Sequence, residues 1–122
     1  MATIRETLSR LLSIPGVRSV ALVGRDGLPI EATGRGDERF LESLGALGAS
    51  AFGTAEALGA DLGSGTTVAA LLEYEDAFVS VDPLGPHAAV VTLAESAASL
   101  GALRRAVRGS RDELLRQLDL TR

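Results

Sequence analysis

The sequence predicts an α+β fold: five strands in an antiparallel sheet, accompanied by three helices. Three features lead there. An Asp-Gly pair at 26–27 sits between two strand patterns, as in a hairpin. Residues 66–94 hold three further strand patterns separated only by short turns, which suits an antiparallel meander. Helical spacing of apolar residues appears at the start, middle and end of the chain.

The first helix starts at Thr3, a good cap, with Glu6 three residues on to complete a capping box. Ile4, Leu8, Leu11 and Leu12 fall on one helical face, and Pro15-Gly16 stops the helix and turns the chain. Residues 17–24 (VRSVALVG) read as a strand with Val20 and Leu22 on one face and Val17, Ala21 and Val23 on the other. Both faces are apolar, so both should be covered. Asp26-Gly27 predicts a two-residue type I′ turn. The strand 28–33 alternates, with Leu28, Ile30 and Ala32 inward and Pro29, Glu31 and Thr33 outward. Pro29 cannot donate a ladder hydrogen bond, which marks this strand as an edge.

"GRGDER" (34–39) is a loop whose RGD triplet is incidental, and Asp37 can cap a middle helix from 38 to about 61. "GSG" (63–65) reads as its C-cap and loop. Residues 66–73 (TTVAALLE) form the third strand, Tyr74 to Ala77 a turn, 77–82 the fourth strand, "PLGP" (83–86) a turn, and 87–94 the fifth. Ser96 or Ser99 caps the last helix, with Leu100, Leu103, Val107, Leu114 and Leu118 as its apolar stripe and Gly109 as a point where it can kink. Residues 66–72 contain neither charge nor proline. As a second edge this strand would be undefended, and such edges invite pairing with another chain.

The middle helix is the anomaly. At 100° per residue, Phe40, Leu44, Leu47, Ala51, Ala55, Leu58 and Leu62 make a stripe expected to face the sheet. Leu41, Gly45, Gly48, Phe52 and Gly59 make a second stripe beside it, and Glu42, Ala46, Ala49, Gly53, Ala57 and Ala60 a far side. No charge lies between Glu42 and Glu56. Gly45, Gly48, Gly53 and Gly59 together cost roughly 3–4 kcal/mol of helix propensity relative to alanine. Close approach of another backbone would offset that, so the second stripe is expected to meet a second chain.

At 122 residues the chain is expected to be one domain, residues 1–122, with roughly two-thirds of its unfolded surface buried. A formal net charge of −4 argues against nucleic-acid partners, which need a basic surface. There is no cysteine and no lysine, which excludes disulfides, thiolate nucleophiles, Schiff bases and a Walker A lysine. The one histidine, His87, cannot build a multi-histidine metal site. No run approaches the roughly 18 apolar residues of a membrane span and no signal-peptide pattern opens the chain, so a cytoplasmic location is expected.

Little else suggests catalysis. Ser80, Asp82 and His87 are near one another across a hairpin, but no G-x-S-x-G turn supplies an oxyanion hole. Glu73, Glu75 and Asp76 read as a solvated turn. Arg104, Arg105, Arg108 and Arg111 give the last helix a basic face, suited to solvent or to an acidic partner. Aromatics are 3% of the chain, too few for base stacking or a large aromatic pocket. No metal or cofactor is expected, and the protein is not expected to be an enzyme.

"LLSIPGVRSVALVGRDGLPIEATG" (11–34) resembles the opening of the Roadblock domain family, which includes dynein light chains and bacterial MglB-like proteins. The pattern is carried by Leu11, Leu12, Pro15, Gly16, Val17, Asp26 and Gly27. "SLGALRR" (99–105) is similar to the family's Leu-Gly start of its last helix, here Leu100 and Gly101. The resemblance implies a profilin-like three-layer sandwich with strand order 2-1-5-4-3, the first and last helices on one face and the middle helix on the other. It also implies a homodimer, in which third strands pair and middle helices meet, that regulates a small Ras-like, MglA-like GTPase. On that basis Leu41, Gly45, Gly48, Phe52, Gly59, Val68, Ala70 and Leu72 are expected at the dimer interface, and Glu42, Ala46, Ala49 and Gly53 against the GTPase. The alternatives are a dimeric scaffold with no effect on hydrolysis, and a profilin-like small-ligand sensor.

Overall fold

The computed structural model describes residues 2–120. It runs α1 (Ile4–Leu12), β1 (Val17–Gly24), β2 (Pro29–Gly34), α2 (Glu38–Leu62), β3 (Ala70–Glu73), β4 (Ala77–Leu84), β5 (Ala88–Glu95) and α3 (Leu100–Leu120). The sheet is antiparallel in the order β2-β1-β5-β4-β3, as the resemblance implied. α1 and α3 cover one face and α2 the other, so the sheet is buried from both sides.

Local chemistry explains most boundaries. The Thr3 hydroxyl accepts from the Glu6 amide at 3.1 Å and caps α1. The Thr3 hydroxyl also donates to the Glu6 carboxylate at 3.3 Å, so that carboxylate meets the hydroxyl rather than the backbone amide of a capping box. Gly16 turns the chain at φ +88°, and a Cβ there would lie 2.6 Å from Ala98 Cβ. Of the two serines open to cap α3, Ser99 accepts from the Ala102 amide at 3.1 Å. Leu103, Val107 and Leu114 of its stripe are buried, with Leu100 and Leu118 packed beside them, and the helix runs unbroken through Gly109. The Arg10–Glu113 ion pair at 2.7 Å and the Gln117 amide on the Thr7 hydroxyl at 3.0 Å tie α3 to α1.

Four expectations need correction. The β1–β2 turn is not type I′: Gly27 alone has positive φ, and its amide closes a four-residue turn on the Gly24 carbonyl at 2.9 Å. Glycine in the third position after the turn begins is the bulged form, which needs no positive φ at Asp26. The alternation of β2 fails because the register shifts opposite Leu22 and Val23. Ala32 packs inward, whereas Leu28 and Ile30 are exposed and Glu31 bonds Arg5 of α1 at 2.7 Å. A second register shift in β1, between Val17 and Ser19, places Val17 with the α1–α3 core instead of beside Ala21. Finally, β3 pairs only over 70–73, leaving 66–69 outside the ladder, while β4 continues through Pro83 and Leu84.

Candidate protein-docking surface

Asp37 caps α2 through its carboxylate, which accepts from the Phe40 amide at 2.8 Å, and Gly63 ends it in the left-handed conformation at φ +66°. The helix rests on the sheet through Gly45, Gly48, Ala49 and Phe52, all buried. A Cβ at Gly48 would meet both Cγ atoms of Val91 at 2.6 Å, and one at Gly45 would meet Val23 Cβ at 3.3 Å. The glycines therefore let α2 approach its own sheet closely, not the helix of a second chain. At the edge of this contact the Arg25 guanidinium stands 4.8 Å from the Phe52 ring centroid and pairs with Glu56 at 2.6 Å.

This reverses the two stripes read from the sequence. Of the residues expected at a dimer interface, Gly45, Gly48 and Phe52 are buried on the sheet, and Leu41 and Gly59 are half-buried along the same face. The stripe expected to face the sheet instead turns outward: Leu47 is 69% exposed, Leu58 59% and Leu62 66%. Only Leu44 of that stripe packs against the α2-side core. Both stripes are apolar, so periodicity alone cannot rank them. The flat sheet face of Ala21, Val23, Ala89 and Val91 takes the stripe of small residues because it allows the closer approach.

Besides the outward leucines, the β3 edge is also apolar and exposed. Ala70 and Leu72 of β3 pack half-buried against the α2-side core, while Val68 and Leu71 are exposed. Among the described residues β3 pairs only with β4, so its other side offers free backbone amides and carbonyls. Large exposed apolar side chains beside an open edge are the usual mark of a protein interface.

On the far flank of α2, Glu42, Gly53, Ala57 and Ala60 are exposed and Ala46 is half-buried. Ala49, expected to touch a GTPase, is 6% exposed and belongs to the core, so it cannot. Between this flank and β2 runs a groove of about 490 Å³, with Glu38 and Glu42 on one bank and Glu31 and Arg5 on the other.

The weighed catalytic residues do not converge. Ser80 and Asp82 are buried and bonded to each other at 3.1 Å on the α3 face of the sheet. His87 is exposed at the β4–β5 turn, and among the described residues no hydrogen bond joins it to either. Burial pushes the Asp82 carboxyl up, against the smaller pull of the Ser80 hydrogen bond and of Arg104 and Arg108. Among the described residues no group of three or more His, Asp or Glu side chains is placed to hold a metal ion, and no helix is long and apolar enough to cross a membrane.

Residues 3–94 match the family model described as Roadblock/LC7 domain. A Roadblock/LC7 domain from Streptomyces avermitilis is 21% identical over 93% of this chain and 99% of that one, with a TM-score of 0.82. A structure described as MglB with tetrameric arrangement is 25% identical over 93% of this chain and 85% of that one, with a TM-score of 0.82. The gliding protein MglB from Thermus thermophilus is 24% identical over 93% and 86%, with a TM-score of 0.81. No curated protein sequence matches the chain.

Proposed function

Because the chain belongs to the Roadblock/LC7 domain family, we propose that it is a non-enzymatic, homodimeric regulator of a small Ras-like GTPase in the cytoplasm. The carrying observation is the row of exposed leucines on α2, Leu47, Leu58 and Leu62, together with the open β3 edge. The likeness to MglB at 25% identity over 93% of this chain supports the same reading. In the dimer, β3 edges pair and the leucine stripes of two α2 helices meet, which removes both liabilities at once. The GTPase docks on the remaining flank of α2, with Glu42, Ala46 and Gly53 in contact. A regulator of this kind acts by binding one nucleotide state better than the other, and its effect is bounded by that difference in affinity.

The test is capture from native lysate with a GTP analogue or GDP present, followed by GTP hydrolysis rates for the captured GTPase with and without the protein. A small GTPase enriched with one nucleotide, and hydrolysing its GTP faster when the protein is present, is the expected result. Gly53→Arg, which projects a side chain into open space, should weaken that binding about tenfold or more while leaving the dimer intact. Binding without any change in hydrolysis would favour the scaffold reading. No GTPase in either nucleotide state would overturn the proposal.

A further inference from the structure

Arginines of α3 stand on the α3 face of the sheet beside β3. Arg104, Arg108 and Arg111 recur at four- and three-residue spacing, which sets them along one flank of α3. Val68, Asp82, Val107, Arg108 and Arg111 line a small cleft at that edge. Among the described residues none of these three arginines has an ion-pair partner within 4 Å. Asp82, the acid of that cleft, is buried and engaged by Ser80.

The opposite charge lies at the other end of the same edge. Ala70 and Leu72 pack toward α2, so Leu71 and Glu73 take the α3 face, where they border a hollow with Phe78 and Leu100. Glu75 and Asp76 follow in the exposed turn. Pairing two β3 edges about a twofold axis gives an antiparallel ladder. A twofold centred anywhere from residue 70 to 72 sets Glu73 of one copy opposite a residue between 67 and 71 of the other. Ala69, in the middle of that range, precedes the Ala70–Val81 pair and follows Val68, which lines the cleft with Asp82 and Arg108. Glu73 of the second copy then stands one strand spacing, about 4.8 Å, outside the cleft edge and next to the arginine flank.

We propose that Glu73 of one copy pairs with Arg108 of the other, twice per dimer, and that this crossed charge pair fixes the register of the β3–β3 ladder. The proposal rests on the homodimer reading. Moving the twofold axis by one residue keeps Glu73 on the α3 face but shifts it two positions, roughly 7 Å, along the partner strand and away from Arg108, so the pair favours one register among several that the apolar 66–72 run would accept.

Glu73 and Arg108 are both exposed, so reversing them leaves the fold in place, as circular dichroism should verify. Dimer dissociation constants are measured by sedimentation for wild type, Glu73→Arg, Arg108→Glu and the double variant, at low and high salt. Each single reversal should weaken the dimer about tenfold at low salt and less at high salt. The double variant should return to within about threefold of wild type. A dimer indifferent to the single reversals, or a double variant weakened by both, would overturn the charge pair while leaving the homodimer standing. A wild type that stays monomeric at every concentration removes the homodimer itself, and with it the pair.

Discussion

Two glycines on α2 have opposite fates. Gly48 sits against Val91 with no room for a methyl group, whereas a Cβ at Gly53 meets nothing within 4 Å. Gly48→Ala should therefore lose about 1–3 kcal/mol through overpacking, while Gly53→Ala should gain up to about 1 kcal/mol of helix propensity. Urea denaturation of the two variants measures both. In the sequence the two residues look alike; only the sheet beneath one of them tells them apart. Asp82 gives a second residue-scale outcome. Burial raises its carboxyl above the ordinary 3.8, so the native state holds the proton to higher pH than the unfolded chain does. Its contribution then falls as pH rises through the window from the ordinary value to the raised one, and stays unfavourable above it. Asp82→Asn keeps an acceptor for the Ser80 hydroxyl and removes the buried charge. The variant should melt higher than wild type at pH 7, and the gap should close as pH falls below the ordinary carboxylate range. A gap of the opposite sign at pH 7 would mean that Arg104 and Arg108 outweigh burial.

At the scale of elements, α2 and β3 are the two that leave apolar side chains or a strand edge exposed. α1 and α3 bury their apolar stripes against the sheet and against each other. α2 has more apolar surface than one sheet face can cover, and 25 residues of helix carry it past the sheet on its leucine side. Leu47→Asp and Leu58→Asp both change exposed positions, so each should leave the folded chain at near wild-type stability. Each should nevertheless convert the dimer to monomer, with a loss of at least about 2 kcal/mol of association for a buried interface leucine. Light scattering coupled to size exclusion reads the outcome; a dimer unaffected by both substitutions would place the interface elsewhere. The sequence located both elements but misjudged how they are used. Its two α2 stripes were correctly drawn and wrongly assigned, because hydrophobicity ranks residues by apolarity and packing ranks them by how closely they allow two surfaces to come.

At the scale of the molecule, the three layers leave two edges with different protection. β2 is closed off by Pro29, by the register shift opposite Val23 and by the Arg5–Glu31 pair beneath it. β3 carries none of these and ends one side of the sheet. The asymmetry gives association one direction: two copies can extend the sheet through β3 and stop, because the outer edges of the pair are then both β2. In the proposed dimer an isologous contact through β3 uses up the less protected edge of each copy, which closes the assembly.

The element order, the hairpin and meander connections, the caps at Thr3, Asp37 and Gly63, and the two-sided burial of the sheet are legible in the residue pattern, because these depend on backbone conformation, local hydrogen bonding and strand alternation. The sequence also carried, in Pro29 and in the uncharged 66–72 run, the contrast between the two edges. Only the tertiary structure decided which stripe of α2 meets the sheet, that Ala49 is core, and that Arg108 and Glu73 stand on the same face of the β3 edge. Those facts turn on contact distances between elements far apart in the chain, and a shift of one residue in register or of a methyl group at Gly48 would change them without altering the sequence pattern.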